Sequence, residues 1–164
     1  MFKGTSASAG IGIGKAVIVE EAELVITRNE VADAEGEIQR FKGALEKTIA
    51  ATQKMADDLA SRVGEKEAEI MQGHMMLLSD PMLTGEIESS IRNDKVNSEF
   101  AIENICNMYA DMFASMGDEL MQQRATDMRD IKVRMQRTLM GLESVDVSLL
   151  PKGSILVAKD LTPS

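Results

Sequence analysis

From residue 29 to residue 143 the chain carries almost no β-strand signal, while apolar or small side chains return at every seventh position. One row is Val31, Ile38, Leu45, Thr52 and Leu59, and a second is Ala34, Phe41, Thr48 and Met55. A seven-residue repeat keeps such side chains on one seam of a long helix. From Glu30 to about Arg62 that helix is roughly 50 Å long at about 1.5 Å per residue, and Gly64 ends it. A second helix is expected from about Glu65 to Leu78. Ser79-Asp80-Pro81 breaks and restarts it, with Asp80 as N-cap and Pro81 at the first helical position, and a short helix continues to about Arg92. A third begins near Asn97, carries Ala101, Ile105, Met108, Met112 and Met116, and stops at Gly117. The fourth runs from about Asp118 to Leu142, with Met121, Met128, Met135 and Leu142 seven apart. Short connections between long helices imply antiparallel packing.

The flanks differ. Residues 1–28 pass from small residues to a strand candidate at Lys15–Glu20, with a weaker one at Phe2–Ala7. Residues 144–164 return to β character at Ser154–Ala158, which reads as a buried strand. Thr162-Pro163 then reads as an N-cap followed by proline at the first helical position. A strand whose following helix is announced but not reached is expected in a domain that continues past residue 164. The fold class that follows is mainly α: a four-helix, antiparallel, coiled-coil-like bundle inserted into the first strands of a truncated α/β domain.

Charge narrows the partners. A formal net charge of −9 argues against nucleic acid and anionic membrane and favours a basic or neutral contact face. No apolar run approaches the roughly 18 residues of a membrane span, and no signal peptide is visible. Cys106 is the single cysteine, so an internal disulfide is impossible and a reducing cytoplasm is the expected location. With aromatics at 3% the core must be aliphatic, and the 13 methionines are available both for packing and for an adaptable binding surface. Met75, Met76, Met82, Met108 and Met112 are candidates to gather near the break at 79–81.

Three clusters invite chemistry. Gly10, Gly12, Gly14 and Lys15 suggest a phosphate loop, but Ala9, Ala16 and Lys15 occupy positions where the known phosphate-loop spacings need Gly, Ser/Thr and Gly. The alternative is a turn between strands. His74, the single histidine, cannot build a protein metal site alone and has no adjacent nucleophile. It reads as a half-buried helix residue or as part of a binding surface. Residues 124–130 alternate charge. Arg124 and Asp127 stand at i, i+3, and Asp130 and Arg134 at i, i+4, each pair contributing a few tenths of a kcal/mol, roughly, on a helix surface. A solvated face and a network tying the last helix to the β part remain open for them.

Four segments in order, ASAGIGIGKA at 7–16, GHMMLLSDP at 73–81, RATDMRDI at 124–131 and ILVAKDLTPS at 155–164, resemble Enzyme I of the bacterial sugar phosphotransferase system, the phosphoenolpyruvate–protein phosphotransferases. The resemblance covers essentially the whole chain. It implies a phosphohistidine α/β domain (residues 1–28 and 144–164) interrupted by a helical subdomain (29–143) that docks the phosphocarrier HPr. The phosphorylated histidine of that family lies beyond DLTPS, so no catalytic residue is expected in this chain, which by itself is expected to be inactive. No metal is expected in it either. Mg²⁺ and the phosphoenolpyruvate site are implied for a C-terminal domain, which is the second implied partner. A start directly at the first strand fits the sugar-pathway form better than the nitrogen-linked paralogue.

Matched position by position, the resemblance implies a docking surface on the broken second helix made of Glu65, Lys66, Ile70, His74, Met76, Leu77 and Met82. Met108, Phe113, Leu120 and Arg124 are implied on the facing helices. An apolar centre with a charged rim suits a transient carrier complex. Lys66 stands where the family pattern leads to an acidic residue. The alternative readings are a helical adaptor without phosphotransfer and the Enzyme I-like module of another phosphoenolpyruvate-linked phosphotransferase.

Overall fold

The computed structural model describes residues 8–19, 24–62, 65–142 and 151–158. They fall into two compact units, one holding 24–142 and the other holding 8–19 with 151–158. In chain order the elements are β1 (Ala16–Val19), α1 (Ala34–Arg62), α2 (Glu65–Leu78), α3 (Pro81–Asp94), α4 (Ser98–Ser115), α5 (Glu119–Met140) and β2 (Ile155–Ala158). The molecule is mainly helical with a small parallel strand pair.

Local chemistry sets the helix ends. The Asp80 carboxylate accepts from Met82 N–H at 2.9 Å with Pro81 in the first turn, so α3 is a helix of its own rather than a prolongation of α2. Asp118 does the same for α5, accepting from Met121 N–H at 2.9 Å. Gly117, at φ +77, separates α4 from α5. The first helix starts at Ala34, four residues later than its periodicity suggests. Residues 29–31 are drawn instead onto the α3–α4 connection, where Val31 N–H donates to the Lys95 carbonyl and Asn97 N–H to the Asn29 carbonyl.

Packing follows the expected seam. Ile38 and Phe41 of α1 are fully buried, and Leu45, Met55 and Leu59 are half-buried. The buried pair shares one core with Leu78, with Leu83, Ile87 and Ile91 of α3, with Ile102 of α4, and with Met128, Ile131 and Met135 of α5, and Leu45 packs against it. Thr48 and Thr52, both buried in the seam, return their hydroxyls to Ala44 and Thr48 carbonyls, so neither is left unsatisfied. Helices α4 and α5 run antiparallel: Lys132 reaches Glu103 at 3.0 Å, while Gln136, one turn on, reaches the Glu99 carbonyl one turn back at 3.2 Å. Helices α1 and α5 are antiparallel too, with Thr48 on Thr138 at 3.1 Å and Thr52 on Arg134 at 3.2 Å.

On α4 the expected apolar row splits. Ala101 is buried and Ile105 half-buried, but Met108, Met112 and Met116 are exposed. The buried face is Ala101, Ile102, Cys106 and Ala110.

In the other unit β1 and β2 pair in parallel, Ala16 against Ile155 through Val19 against Ala158. A parallel pair needs a crossover, and residues 34–140 supply one. Gly14 is where the pair's loops meet most closely. A Cβ there would lie 1.9 Å from the Gly153 carbonyl oxygen, which only glycine permits. The expectation of a buried strand at Ser154–Ala158 is corrected: Ile155, Leu156 and Val157 are exposed, since no described element of this unit covers the two-stranded pair. The strand candidate at Phe2–Ala7, Gly64 and the Thr162-Pro163 cap lie outside the described residues.

Candidate functional site

Most of the helical unit's exposed large apolar side chains lie at one end, Val25 and Met140 being the exceptions. Helix α2 breaks into α3 at residues 79–80. Burial and the nearby Glu86 carboxylate raise the pKa of Tyr109, and that proximity sets the second half of α4 beside the first half of α3. The α4–α5 hairpin then turns at Gly117, where Gln122 donates to the Ala114 carbonyl at 2.9 Å. Met76 and Met82 flank the α2–α3 break and are 66% and 68% exposed. Met108, Met112 and Met116, each a helical turn apart, lie along α4, and Leu120 opens α5; all four are exposed. Ile70 is exposed further up α2. Phe113 is half-buried against the core, stacked obliquely on Tyr109 at 6.2 Å between ring centroids. Leu77 is buried, so it supports Met76 from beneath rather than presenting a face. Glu65 and Lys66 open α2.

Below this surface α2 crosses α5. Gly73 lies at that crossing: a Cβ there would stand a tight 3.2 Å from Arg124 Nη1 and 3.5 Å from Asp127 Oδ2. The neighbouring His74 is fully buried, not half-buried or on the surface. Its Nε2 lies 3.4 Å from Asp127 Oδ1, and neither ring nitrogen has a hydrogen-bond partner. Asp127 is itself 5% exposed and accepts from Gln123 Nε2 at 3.2 Å. Arg124, partly exposed, stands 3.9 Å from Asp127 Oδ2. Arg134 does not pair with Asp130 as the i, i+4 spacing suggests. It turns inward to Thr52 Oγ1 and to Met71 Sδ at 3.7 Å, because the α1–α2–α5 junction offers it acceptors there. Of the charges at 124–134, Arg124 and Asp127 lie against α2, Lys132 pairs with Glu103 of α4, Arg134 reaches α1 and α2, and Arg129 is exposed.

Burial lowers the pKa of His74, and the Arg134 cation adds to the effect against the opposing pull of Asp127 and Asp130. Folding therefore favours the neutral ring. As pH falls below 6.5 the unfolded chain binds the proton first, so stability falls with pH in the window from 6.5 down to the lowered native value. Urea titrations between pH 7.5 and 5.5 are expected to show that decline, with a slope of at most about 1.4 kcal/mol per pH unit. His74→Asn is expected to flatten it, and an unchanged slope would contradict the assignment. Asp130, whose pKa burial raises, acts in the opposite sense above 3.8, and Glu99 and Glu103, with lowered values, contribute stability that is lost only below 4.5.

Three participants escaped the sequence reading. Met116 carried a sequence signal, standing two turns beyond Met108 on the same helix row. The buried state of Asp127 and the close approach at Gly73 had none, because both depend on which face of α5 meets α2. Among the described residues no group of three or more His, Cys, Asp or Glu side chains is arranged to hold a metal ion, and no helix is long and apolar enough to cross a membrane.

Comparison with known proteins places this geometry. The family described as PEP-utilising enzyme, N-terminal, matches residues 3–124. The phosphoenolpyruvate-protein phosphotransferase of Listeria monocytogenes is 40% identical over 163 residues, 99% of this chain and 28% of that protein. The protein of the same name from Bacillus subtilis is 38% identical over 99% of this chain and 29% of its own length. The chain thus spans less than a third of the relatives it matches. A solution structure of Enzyme I superposes with a TM-score of 0.92 at 34% identity, covering 99% of this chain and 66% of that one. The N-terminal domain of a nitrogen-type Enzyme 1 superposes at 0.73 over 91% of this chain and 61% of its own, and at 24% identity it shows the fold alone. On the match across residues 3–124, the chain belongs to the family of PEP-utilising enzymes, as their N-terminal part.

Proposed function

We propose that this chain is the part of a phosphoenolpyruvate–protein phosphotransferase that docks the phosphocarrier HPr. The observation that carries the reading is the cluster of exposed Met76, Met82, Met108, Met112, Met116 and Leu120 at one end of the helical unit. Methionine presents adaptable apolar surface, which suits a partner that must bind and leave. In this reading Ile70, Met76, Met82, Met108, Phe113 and Leu120 form the apolar centre. Arg124, Glu65 and Lys66 form its charged rim. His74 and Leu77 lie beneath, holding α2 in place, and a buried single histidine is ill-suited to accept a phosphoryl group.

The helices act as a four-helix antiparallel bundle, α2 and α3 counting as one broken member, over residues 29–143. Residues 1–28 and 144–164 supply the opening and return strands of an α/β phosphohistidine domain; the parallel β1–β2 pairing supports that reading. The phosphoryl chemistry, with Mg²⁺ and phosphoenolpyruvate, belongs to the length of the relatives that this chain does not span, and the working location is the cytoplasm.

Calorimetric titration with HPr tests the proposal. Binding is expected to weaken several-fold as salt shortens the screening length from about 10 Å at 0.1 M to about 3 Å at 1 M. Salt-independent affinity would contradict the charged rim, and absence of binding at low salt would contradict the docking function.

A further inference from the structure

Asp127 is an expensive residue to bury. A carboxylate held at 5% exposure must be compensated by close, well-aligned donors, or an apolar side chain of similar size would serve stability better. Among the described residues its polar neighbours are Gln123 Nε2, which donates at the long end of the hydrogen-bond range at 3.2 Å, and the more distant His74 Nε2 at 3.4 Å and Arg124 Nη1 at 3.9 Å. None is a short charge-assisted contact of about 2.7–2.9 Å. The site is therefore poorly optimised for stability.

Its placement suits another task. Asp127 sits one turn after Arg124 on α5, directly under the crossing with α2. The Arg124 guanidinium lies over Gly73, at a spot that any larger residue would crowd. From there it borders the α2 segment that carries Ile70 and Met76. The carboxylate beneath is the only acid within 4.0 Å of Arg124 among the described residues, and the Arg124 side chain is 28% exposed.

We infer that Asp127 is a positioning residue: its buried charge, one turn along α5, holds the Arg124 guanidinium against Gly73 at the rim of the docking surface, ready to meet an anionic group on the partner. This rests on the docking reading above for its purpose, though not for its geometry. Among the described residues Asp127 is the one ion-pair partner of Arg124, and at 3.9 Å no hydrogen bond joins them, so the cation is oriented without being neutralised.

Asp127→Asn, Arg124→Met and the double variant, made in the full chain, separate positioning from mere structure. Asp127→Asn keeps the shape and removes the charge. It is expected to leave the melting temperature unchanged or raised, while HPr affinity falls about fivefold to tenfold, as for an oriented interfacial charge. In the Arg124→Met background the same substitution is expected to cost nothing further, since the effect travels through Arg124. A fall in both melting temperature and affinity, or additive losses in the double variant, would overturn the assignment.

A second readout needs no partner. Relaxation of the Arg124 side-chain Nε–H signal should report an ordered guanidinium in the parent chain and a disordered one in Asp127→Asn. Unchanged order in the variant overturns the positioning role. Asp127-dependent order in a chain that fails to bind HPr supports that role while removing the docking function.

Discussion

Replacing Phe41 by alanine is expected to destabilise the helical unit by about 3–5 kcal/mol, far more than any surface substitution should cost. Phe41 is 1% exposed and is the only aromatic among the largest fully buried side chains of the described residues. The other rings packed against this core, Phe100, Tyr109 and Phe113, are only partly buried and are carried on α4. Its neighbours in the core are aliphatic residues from several helices, each fixed by its own helix, so collapse around the cavity is limited. The loss combines the transfer term of the ring with the cavity term. Urea unfolding measures it directly, and a loss below about 1 kcal/mol would mean that the α1 seam is not the centre of this core. Phe41→Leu should recover most of the difference. Neither substitution touches the exposed methionine surface, so HPr affinity should be unaltered wherever the variant remains folded.

The reverse separation is expected at the other surface. Met76→Ala with Met82→Ala should weaken HPr binding some tenfold to a hundredfold, about 1.4–2.7 kcal/mol. Both side chains are more than half exposed, so each has apolar area to lose to a partner. Alanine is at least as good a helix former as methionine, so the ends of α2 and α3 should hold and the unfolding free energy should stay within about 0.5 kcal/mol of the parent. Binding unchanged in the double variant would move the contact away from the α2–α3 break. A large stability loss would show that these side chains are core residues after all.

What the sequence made legible was local. The seven-residue rows of α1 and α5 follow from helical geometry, and Asp80-Pro81, Gly117 and Asp118 end or begin helices through their own backbone and side-chain chemistry. The residues that resisted reading depend on partners far away in the chain. Helix α4 carries two apolar rows, and the choice between Met108-Met112-Met116 and Ala101-Ile102-Cys106-Ala110 is made by what α5 and α3 cover. His74 is buried because α5, some fifty residues on, crosses α2 at Gly73. Arg134 leaves Asp130 for Thr52 of α1, a contact 82 residues distant. The apolar strand at residues 155–158 has the composition of a buried strand, but burial needs a covering layer, and composition alone does not provide one.

The docking function is tested most directly by a ¹⁵N and methyl NMR titration of the full chain with HPr. The expected result is a contiguous set of shifts on Ile70, Met76, Met82, Met108 and Arg124, with the signals of Ile87, Ile91 and the β1–β2 pair unmoved. Shifts confined to residues outside that end of the helical unit, or none at saturating HPr, would contradict it.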